Sequence, residues 1–253
     1  MIDLHSHILP GIDDGARTLE DSLAIARAAV GDGIVTIAGT PHVRDDWPTD
    51  PGLMEDRVAE LRAELELTGI PLDVRTGGEI ALDWLPRLAP EELRRFGLGG
   101  TRYLLVETPY YGWPRDLLAQ MLALQDQGFA PVLAHPERNA DVAARPGLLL
   151  PLVDEGVVVQ VTAASVDGRI GRRSFECARV LIREGLAHLI ASDAHHASVR
   201  EVGMAEAVKR VGDAGLARWL TREVPAAILA GAEIPPRPRV LPGKRWLGWL
   251  LET

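Results

Sequence analysis

An α/β fold on a parallel sheet, in the form of a β/α barrel, is predicted by three features of the sequence. Short β-rich runs alternate with longer segments of helical periodicity from the first residue to about residue 230. Runs such as YLLVE (103–107) and PVLAH (131–135) are apolar on both faces, as strands are when helices cover one side and a packed interior the other. The chain is 253 residues long and 47% hydrophobic, enough to bury the core of one such barrel, although length and composition alone fit two small domains equally well.

Taken in order, the β-rich run Ile2–His5 leads into the 3.6-residue period of Leu19–Gly31. Val35–Gly39 is a second compact apolar run, followed by a helical segment over Gly52–Thr68. A third run, Asp73–Gly77, and a fourth, Tyr103–Glu107, precede the periodic stretch Arg115–Gln127. Pro131–His135 pairs in sequence with Gly147–Glu155, and Val157–Val161 with Arg172–Glu184. His188–Ser192 is the last run, followed by helices over Val202–Ala214 and Arg218–Leu229. Seven strands with helical crossovers imply a parallel sheet, with an open doubly wound sheet as the alternative to a barrel. No repeat of fixed period is present. Composition changes only from Ile234 onward, in IPPRPRVLPGKRWLGWLLET. Residues 1–233 are therefore expected to form the barrel, and 234–253 a basic and aromatic tail packed on it. For that tail a contact with a membrane or partner is the competing reading.

Charge and cysteine content narrow the function. A net charge of -9 opposes non-specific grip on a nucleic-acid backbone. A single cysteine, Cys177, cannot build a disulfide framework or a thiolate zinc site, so any metal must be held by His and carboxylate. The first residues, MIDLHSHILPGIDDG, lack a basic region before an apolar core and no later apolar run is long enough to span a bilayer, so a soluble cytoplasmic protein is expected.

The chemistry lies at the strand ends. His5 and His7 are two apart at the end of the first strand, so alternation sends both imidazoles to one face. Asp193 and His195 repeat that spacing after the seventh. Between them, His42 follows the second strand, Glu79 the third, Glu107 the fourth and His135 the fifth. In a barrel these C-terminal ends converge on one mouth, where catalytic groups sit. Any one such residue alone would more simply be a solvated loop group or a cap; the ordered set is what points to a metal site. Of seven histidines five belong to it, while His188, at the other end of its strand, is expected to be structural and His196 is open to either reading.

The sequence resembles the bacterial PHP-type protein-tyrosine phosphatases of capsule and exopolysaccharide biosynthesis. The resemblance spans about residues 1–230. It rests on MIDLHSHILPGIDDGA (1–16), TPH (40–42), GE (78–79), VETP (106–109), AHPER (134–138), QVTA (160–163), GRIGRR (168–173) and ASDAH (191–195). It implies a distorted seven-stranded (β/α)7 TIM-like barrel, the PHP fold, with three divalent metal ions, manganese foremost and iron or zinc as alternatives. The family's ligand pattern falls on His5, His7, Asp14, His42, Glu79, Glu107, His135, Asp193 and His195, and its two phosphate-binding arginines on Arg138 and Arg200. The implied partner is a phosphotyrosine protein, an autophosphorylated tyrosine kinase of polysaccharide export. Relatives often carry a second His where this chain has Val43, and Arg-Pro-Pro where it has Arg200, Glu201 and Val202. Phosphate-ester hydrolysis needs a nucleophile at neutral pH and positive charge on the phosphoryl oxygens, which attack by a metal-bound hydroxide between two arginines would supply. Six charges from three ions against four carboxylates leave two to meet hydroxide and a phosphate dianion. Competing readings are a PHP phosphatase of a small phosphomonoester such as histidinol phosphate, and a non-catalytic metal-binding partner module. An amidohydrolase is disfavoured by Glu107, where a bridging lysine would be expected.

Three features could mislead. Cys177 and Arg183 have the spacing of thiolate phosphatases, but the intervening ARVLI continues an amphipathic helix rather than a phosphate cradle. Tyr110, Tyr111, Trp113 and Trp47 could line the mouth or pack on neighbouring helices. Arg169, Arg172 and Arg173 could meet an acidic peptide or simply start a solvated helix.

Overall fold

A computed structural model describes residues 1–197 and 202–239. Each of the seven expected runs contains a strand. The first is β1 (Ile2–Ser6), followed by α1 (Leu19–Gly31), where Thr18 and Asp21 form a reciprocal capping box. The second run is β2 (Thr36–Gly39), but the chain then opens a new strand, β3 (His42–Arg44), which turns back as β4 (Trp47–Pro48). Asp50 caps α2 (Pro51–Thr68), accepting from the amides of Gly52 and Leu53, with Pro51 in the first turn, where its missing N–H costs nothing. The third run is likewise broken, into β5 (Asp73–Thr76) and β6 (Glu79–Ala81), followed by the short α3 (Pro90–Arg95).

The remainder follows the expected alternation: β7 (Tyr103–Glu107), α4 (Leu117–Asp126), β8 (Ala130–Ala134), α5 (Ala140–Ala144), α6 (Leu150–Asp154) and β9 (Val158–Thr162). Then come α7 (Ala163–Asp167), α8 (Arg172–Glu184), β10 (Leu189–Ala191) and α9 (Met204–Val211). The last expected helix begins early, as α10 (Ala214–Arg218), and continues through a π turn at Trp219–Glu223 into α11 (Val224–Leu229). Pro225 has no amide to donate there, and the widened turn seats the buried Trp219, whose indole N–H donates to Pro235 O at 2.9 Å.

All strand pairs are parallel except β3 with β4. One sheet runs β1-β2-β5 and a second β10-β9-β8-β7-β6-β3-β4. They meet where β1 reaches the end of β10: Ser6 bridges Ala194, His5 O accepts from the Asp193 amide at 2.8 Å, and Asp3 Oδ1 accepts from the Ser192 amide at 2.9 Å. Breaking the second and third strands corrects one expectation. His42 and Glu79 do not trail their strands; they open β3 and β6, paired directly with one another. The second break needs small residues: a Cβ at Gly77 would lie 2.9 Å from Thr40 Cγ2, and one at Gly78 2.6 Å from the Phe96 ring. Strands β7 and β9 are buried at every position, as their two-sided apolar character requires.

His188 is structural, as expected. Its Nδ1 accepts from the Val159 amide at 3.0 Å, and burial, helped by the charge of Arg237, lowers its pKa to about 4. A histidine kept neutral in the fold but free to protonate when unfolded removes stability as pH falls below about 6.5. Between pH 7 and pH 5 this group should cost about 2 kcal/mol. Urea unfolding in chelator should show the loss in the parent chain and a flatter profile for His188→Asn; equal slopes would refute it. No helix among the described residues is long and apolar enough to cross a membrane. Of the expected tail, Pro235 and Arg237 are tied to the body of the fold, the latter donating to Ile182 O at 2.6 Å. Lys244, Arg245, Trp246, Leu247, Trp249, Leu250 and Leu251 lie outside the described residues.

Candidate metal centre

The nine side chains singled out by the sequence come together at the strand ends. They form four overlapping groups, in each of which the candidate ligand atoms lie within 4.8 Å of one another. His7, Asp14, His42 and His195 make one; His5, His7 and Asp193 a second; His5, Glu79 and His135 a third; His42, Glu79 and Glu107 a fourth. All but Asp14 are buried. Glu79 is the hub. Its Oε2 is 3.4 Å from Nε2 of both His5 and His7 and 2.8 Å from His42 Nδ1, while its Oε1 is 2.8 Å from His135 Nε2. Asp193 Oδ1 stands 3.6 Å from His5 Nε2 and 3.4 Å from His7 Nε2. Asp14 Oδ1 lies 3.4 Å from His42 Nε2 and 3.3 Å from His195 Nε2.

The imidazoles are oriented from behind. His7 Nδ1 donates to Asp13 Oδ2 at 2.7 Å, and His5 Nδ1 to Gln160 Oε1 at 3.1 Å, since neither oxygen can donate to a ring nitrogen. His195 Nδ1 donates in the same way to the backbone oxygen of Asp193 at 3.0 Å. In all three the proton is fixed on Nδ1, leaving the Nε2 lone pair toward the cluster. His5 Nε2 and His7 Nε2 are buried and make no hydrogen bond. Ligand atoms around one ion at bonds of about 2.1 Å are about 3.0–3.4 Å apart in octahedral or tetrahedral geometry. The separations of 3.3–3.6 Å match that spacing rather than hydrogen bonds, so this donor set fits divalent cations.

Electrostatics agree. Burial alone would lower the pKa of His5 and His7, yet the carboxylates of Glu79 and Asp193 raise that of His5, and Asp13 and its neighbours hold that of His7 well above its ordinary value. Burial opposes ionisation of Glu79 and Asp14, but the surrounding imidazoles hold both below the usual carboxylate range. Burial, with the charge of Glu79, pushes Glu107 up to about 7. His135 goes the other way, to about 4, because burial and the charge of Arg138 outweigh its bond to Glu79. At His5 and His7 the carboxylate field therefore outweighs burial and favours positive charge at the cluster.

Backbone geometry marks the same place. His135 (φ 30°) and Asp193 (φ 53°) are the only non-glycine residues with positive φ among those described. Both are candidate ligands just past their strands, where left-handed backbone is costly and is kept when surrounding structure holds it.

Arg138 lies beside the cluster, its Nη1 2.6 Å from Asp193 Oδ2. Arg200 lies outside the described residues. Cys177 is buried in α8 and burial pushes its thiol up to about 12, the opposite of an activated thiolate, so Cys177→Ser should leave turnover unchanged. A large loss of activity would revive the thiolate reading. Among the aromatics, Tyr110 reaches His135, whereas Trp113 packs on the core and Tyr111 is exposed. Arg172 pairs with Glu176 one helical turn on and is solvated, as at an ordinary helix start.

Four residues were missed by sequence reasoning. Asp13 is buried and accepts from His7 Nδ1, from the His42 amide at 3.0 Å and, through its other oxygen, from the Gly15 amide at 2.9 Å. Gln160 also accepts from the His135 amide at 3.1 Å. Glu137 is fully buried, and its Oε1 accepts from the Thr162 amide and Ser165 Oγ, anchoring the turn that carries His135 and Arg138. Arg44 Nη1 stands 3.6 Å from Glu107 Oε2. Arg44 shares the parity of His42 along its strand, a usable signal; Asp13 had none to separate it from Asp14. Asp13→Asn should weaken metal binding by about 10–100-fold with the fold intact. Calorimetric titration with Mn(II) would measure this, and an unchanged affinity would remove Asp13 from the centre.

Fold and site together define the class: an α/β protein carrying a His-carboxylate metal centre at the ends of parallel strands. The family model for capsular polysaccharide synthesis, CpsB/CapC, matches residues 1–229, and the chain belongs to that family. It is 38% identical over 211 residues to tyrosine-protein phosphatase YwqE of Bacillus subtilis, covering 82% of each chain. It is 31% identical over 198 residues to the putative tyrosine-protein phosphatase CapC of Staphylococcus aureus, covering 77% of each. A solved chain from the work on YwqE of Bacillus subtilis and CpsB of Streptococcus pneumoniae, described as unique metal-dependent tyrosine phosphatases, superimposes with a TM-score of 0.84 at 33% identity. That match covers 95% of this chain and 100% of the other. A β-aspartyl dipeptidase of Fervidobacterium islandicum, at 15% identity and a TM-score of 0.55, shares the fold alone.

Proposed function

We propose that this chain is a metal-dependent phosphatase that hydrolyses phosphotyrosine on proteins, its physiological substrate being a tyrosine kinase of polysaccharide export. The observation that carries the chemistry is the set of oriented imidazoles, with hydrogen-bond-free Nε2 atoms on His5 and His7, around Glu79 and Asp193 and beside a buried-edge arginine. The choice of tyrosine rests on the names of its relatives. Three divalent ions, manganese foremost and iron or zinc in its place, would be held by His5, His7, Asp14, His42, Glu79, Glu107, His135, Asp193 and His195. Bound there, such ions supply Lewis acidity and an activated water. The protein's own part is to fix the imidazole tautomers through Asp13 and Gln160, and to exclude bulk water from the inner ligands. Arg138, with Arg200, would clamp the phosphoryl oxygens by charge-assisted hydrogen bonds. A phenolate leaving group, with pKa about 10, demands little of a general acid, and no residue is assigned that role.

The accompanying architecture is a distorted seven-stranded barrel. In it β2 with β3 and β5 with β6 each count as one interrupted strand, and β10 meets β1 to close the far side. Residues 1–233 form this catalytic unit, with Pro235 and Arg237 of the tail tied to it, and the protein works in the cytoplasm. The deciding experiment is turnover of the Mn(II)-reconstituted chain on phosphotyrosine peptides, phosphoserine peptides and histidinol phosphate, with and without chelator. Phosphotyrosine should lead and chelator should abolish it. Full activity in chelator, or preference for histidinol phosphate, would sink the reading.

A further inference from the structure

Tyr110 stands in the loop after β7, and its ring lies within 6° of parallel to the imidazole of His135, the centroids 6.0 Å apart. The guanidinium carbon of Arg138 is 4.8 Å from the centre of the same ring, within the range where an aromatic quadrupole holds a cation. The two segments are joined just past Arg138. The Ala140 amide donates to Tyr110 O at 2.9 Å, and Asn139 Nδ2 donates to Pro109 O at 2.6 Å while its Oδ1 caps α5. The loop that carries Tyr110 is thus fastened to the turn that carries Arg138, and the ring is placed against the guanidinium by backbone contacts rather than by chance packing. The bond to Asp193 Oδ2 occupies one of the five guanidinium N–H donors. A carboxylate contact alone would let the fork swivel about that bond, whereas a ring beneath its central carbon restricts it, and a restricted fork loses less entropy when it binds a phosphate.

We propose that Tyr110 is a positioning residue for Arg138: its ring holds the guanidinium in the plane that receives the phosphoryl group, and so sets phosphate affinity without touching phosphate or metal. This rests on the reading of Arg138 as a phosphate clamp. The ring is the working part, so phenylalanine should serve as well as tyrosine.

The test is a double-mutant cycle on the full chain loaded with Mn(II), with calorimetric affinity for inorganic phosphate as the readout and metal content measured in parallel. Inorganic phosphate has no ring, so its affinity cannot report stacking between Tyr110 and a substrate. Tyr110→Leu should weaken phosphate binding by about 3- to 30-fold, the range of a partly desolvated cation-ring contact, with metal content unchanged. Tyr110→Phe should bind as the parent does. In an Arg138→Ala background, Tyr110→Leu should have no further effect, an outcome that a general structural defect would not produce. The proposal is overturned if Tyr110→Leu leaves phosphate affinity unchanged, if its effect persists without Arg138, if Tyr110→Phe is as weak as Tyr110→Leu, or if Tyr110→Leu loses metal, which would place its role at His135. Absence of phosphate binding by the loaded parent would overturn it as well. Turnover of phosphotyrosine by the parent chain is read separately, so failure of the proposed activity is visible without reference to Tyr110.

Discussion

Glu79→Gln should lower turnover by at least about 10³-fold and reduce the bound metal by at least one equivalent. Glu79 is fully buried and its two oxygens meet four imidazoles, those of His5, His7, His42 and His135. A glutamine of the same shape removes the charge and turns an N–H donor toward cations that need a lone pair. It leaves the steric frame intact, so circular dichroism should not change. In chelator the variant should be somewhat less stable than the parent at neutral pH, because the surrounding imidazoles hold the Glu79 carboxylate ionised in the fold and would lose that partner. Metal content by atomic emission and turnover on a phosphotyrosine peptide measure both. Parent-like turnover with full metal would show that the centre is not organised around Glu79.

Arg138→Ala should have the second largest effect, a loss of about 10²–10³ in turnover, the usual consequence of deleting one preorganised donor to a developing anion. The guanidinium is four-fifths buried and raised still further in basicity by Asp193, though burial opposes it, so it stays charged at any working pH. Arg138→Lys should recover only part of the loss, because an ammonium cannot present two parallel donors. The variant also deprives Asp193 Oδ2 of its 2.6 Å partner, so metal content must be followed. Retained metal with lost phosphate affinity is the expected result. Lost metal would instead mean that Arg138 serves to hold Asp193, and retained turnover would remove it from the reaction.

The alternation of strands and helices, and the placing of six of the nine clustered residues at strand ends, were legible because they depend on local properties. His42 and Glu79 were found by their nearness to strands but open β3 and β6 rather than trail the strands before. Apolar runs, a two-residue period and a helical period are written into consecutive residues, so His5 with His7, and Asp193 with His195, could be paired from spacing alone. Asp14 came only from resemblance, since it sits in a loop whose path no local pattern dictates. The breaks between β2 and β3 and between β5 and β6 were invisible for a related reason. Thr40–Pro41 and Gly77–Gly78 look like loop entries, and nothing nearby states that the chain resumes pairing beyond them. That resumption is a non-local event, made when the Glu79 amide donates to Pro41 O and His42 comes to face Glu79 across the ladder.

Residue order by itself therefore indicated the class of fold, argued against thiolate chemistry and picked out most of the side chains that gather in the candidate metal centre, because each depends on residue type and short-range spacing. Assembly in three dimensions assigned the adjacent carboxylates opposite tasks, Asp13 buried against His7 and Asp14 turned to the cluster. It also brought Gln160 behind His5, and Tyr110 against both His135 and Arg138. Those assignments turn on which side chains lose water and which partners remain within reach once distant strands close on one another, and desolvation is a property of the packed chain rather than of any stretch of it.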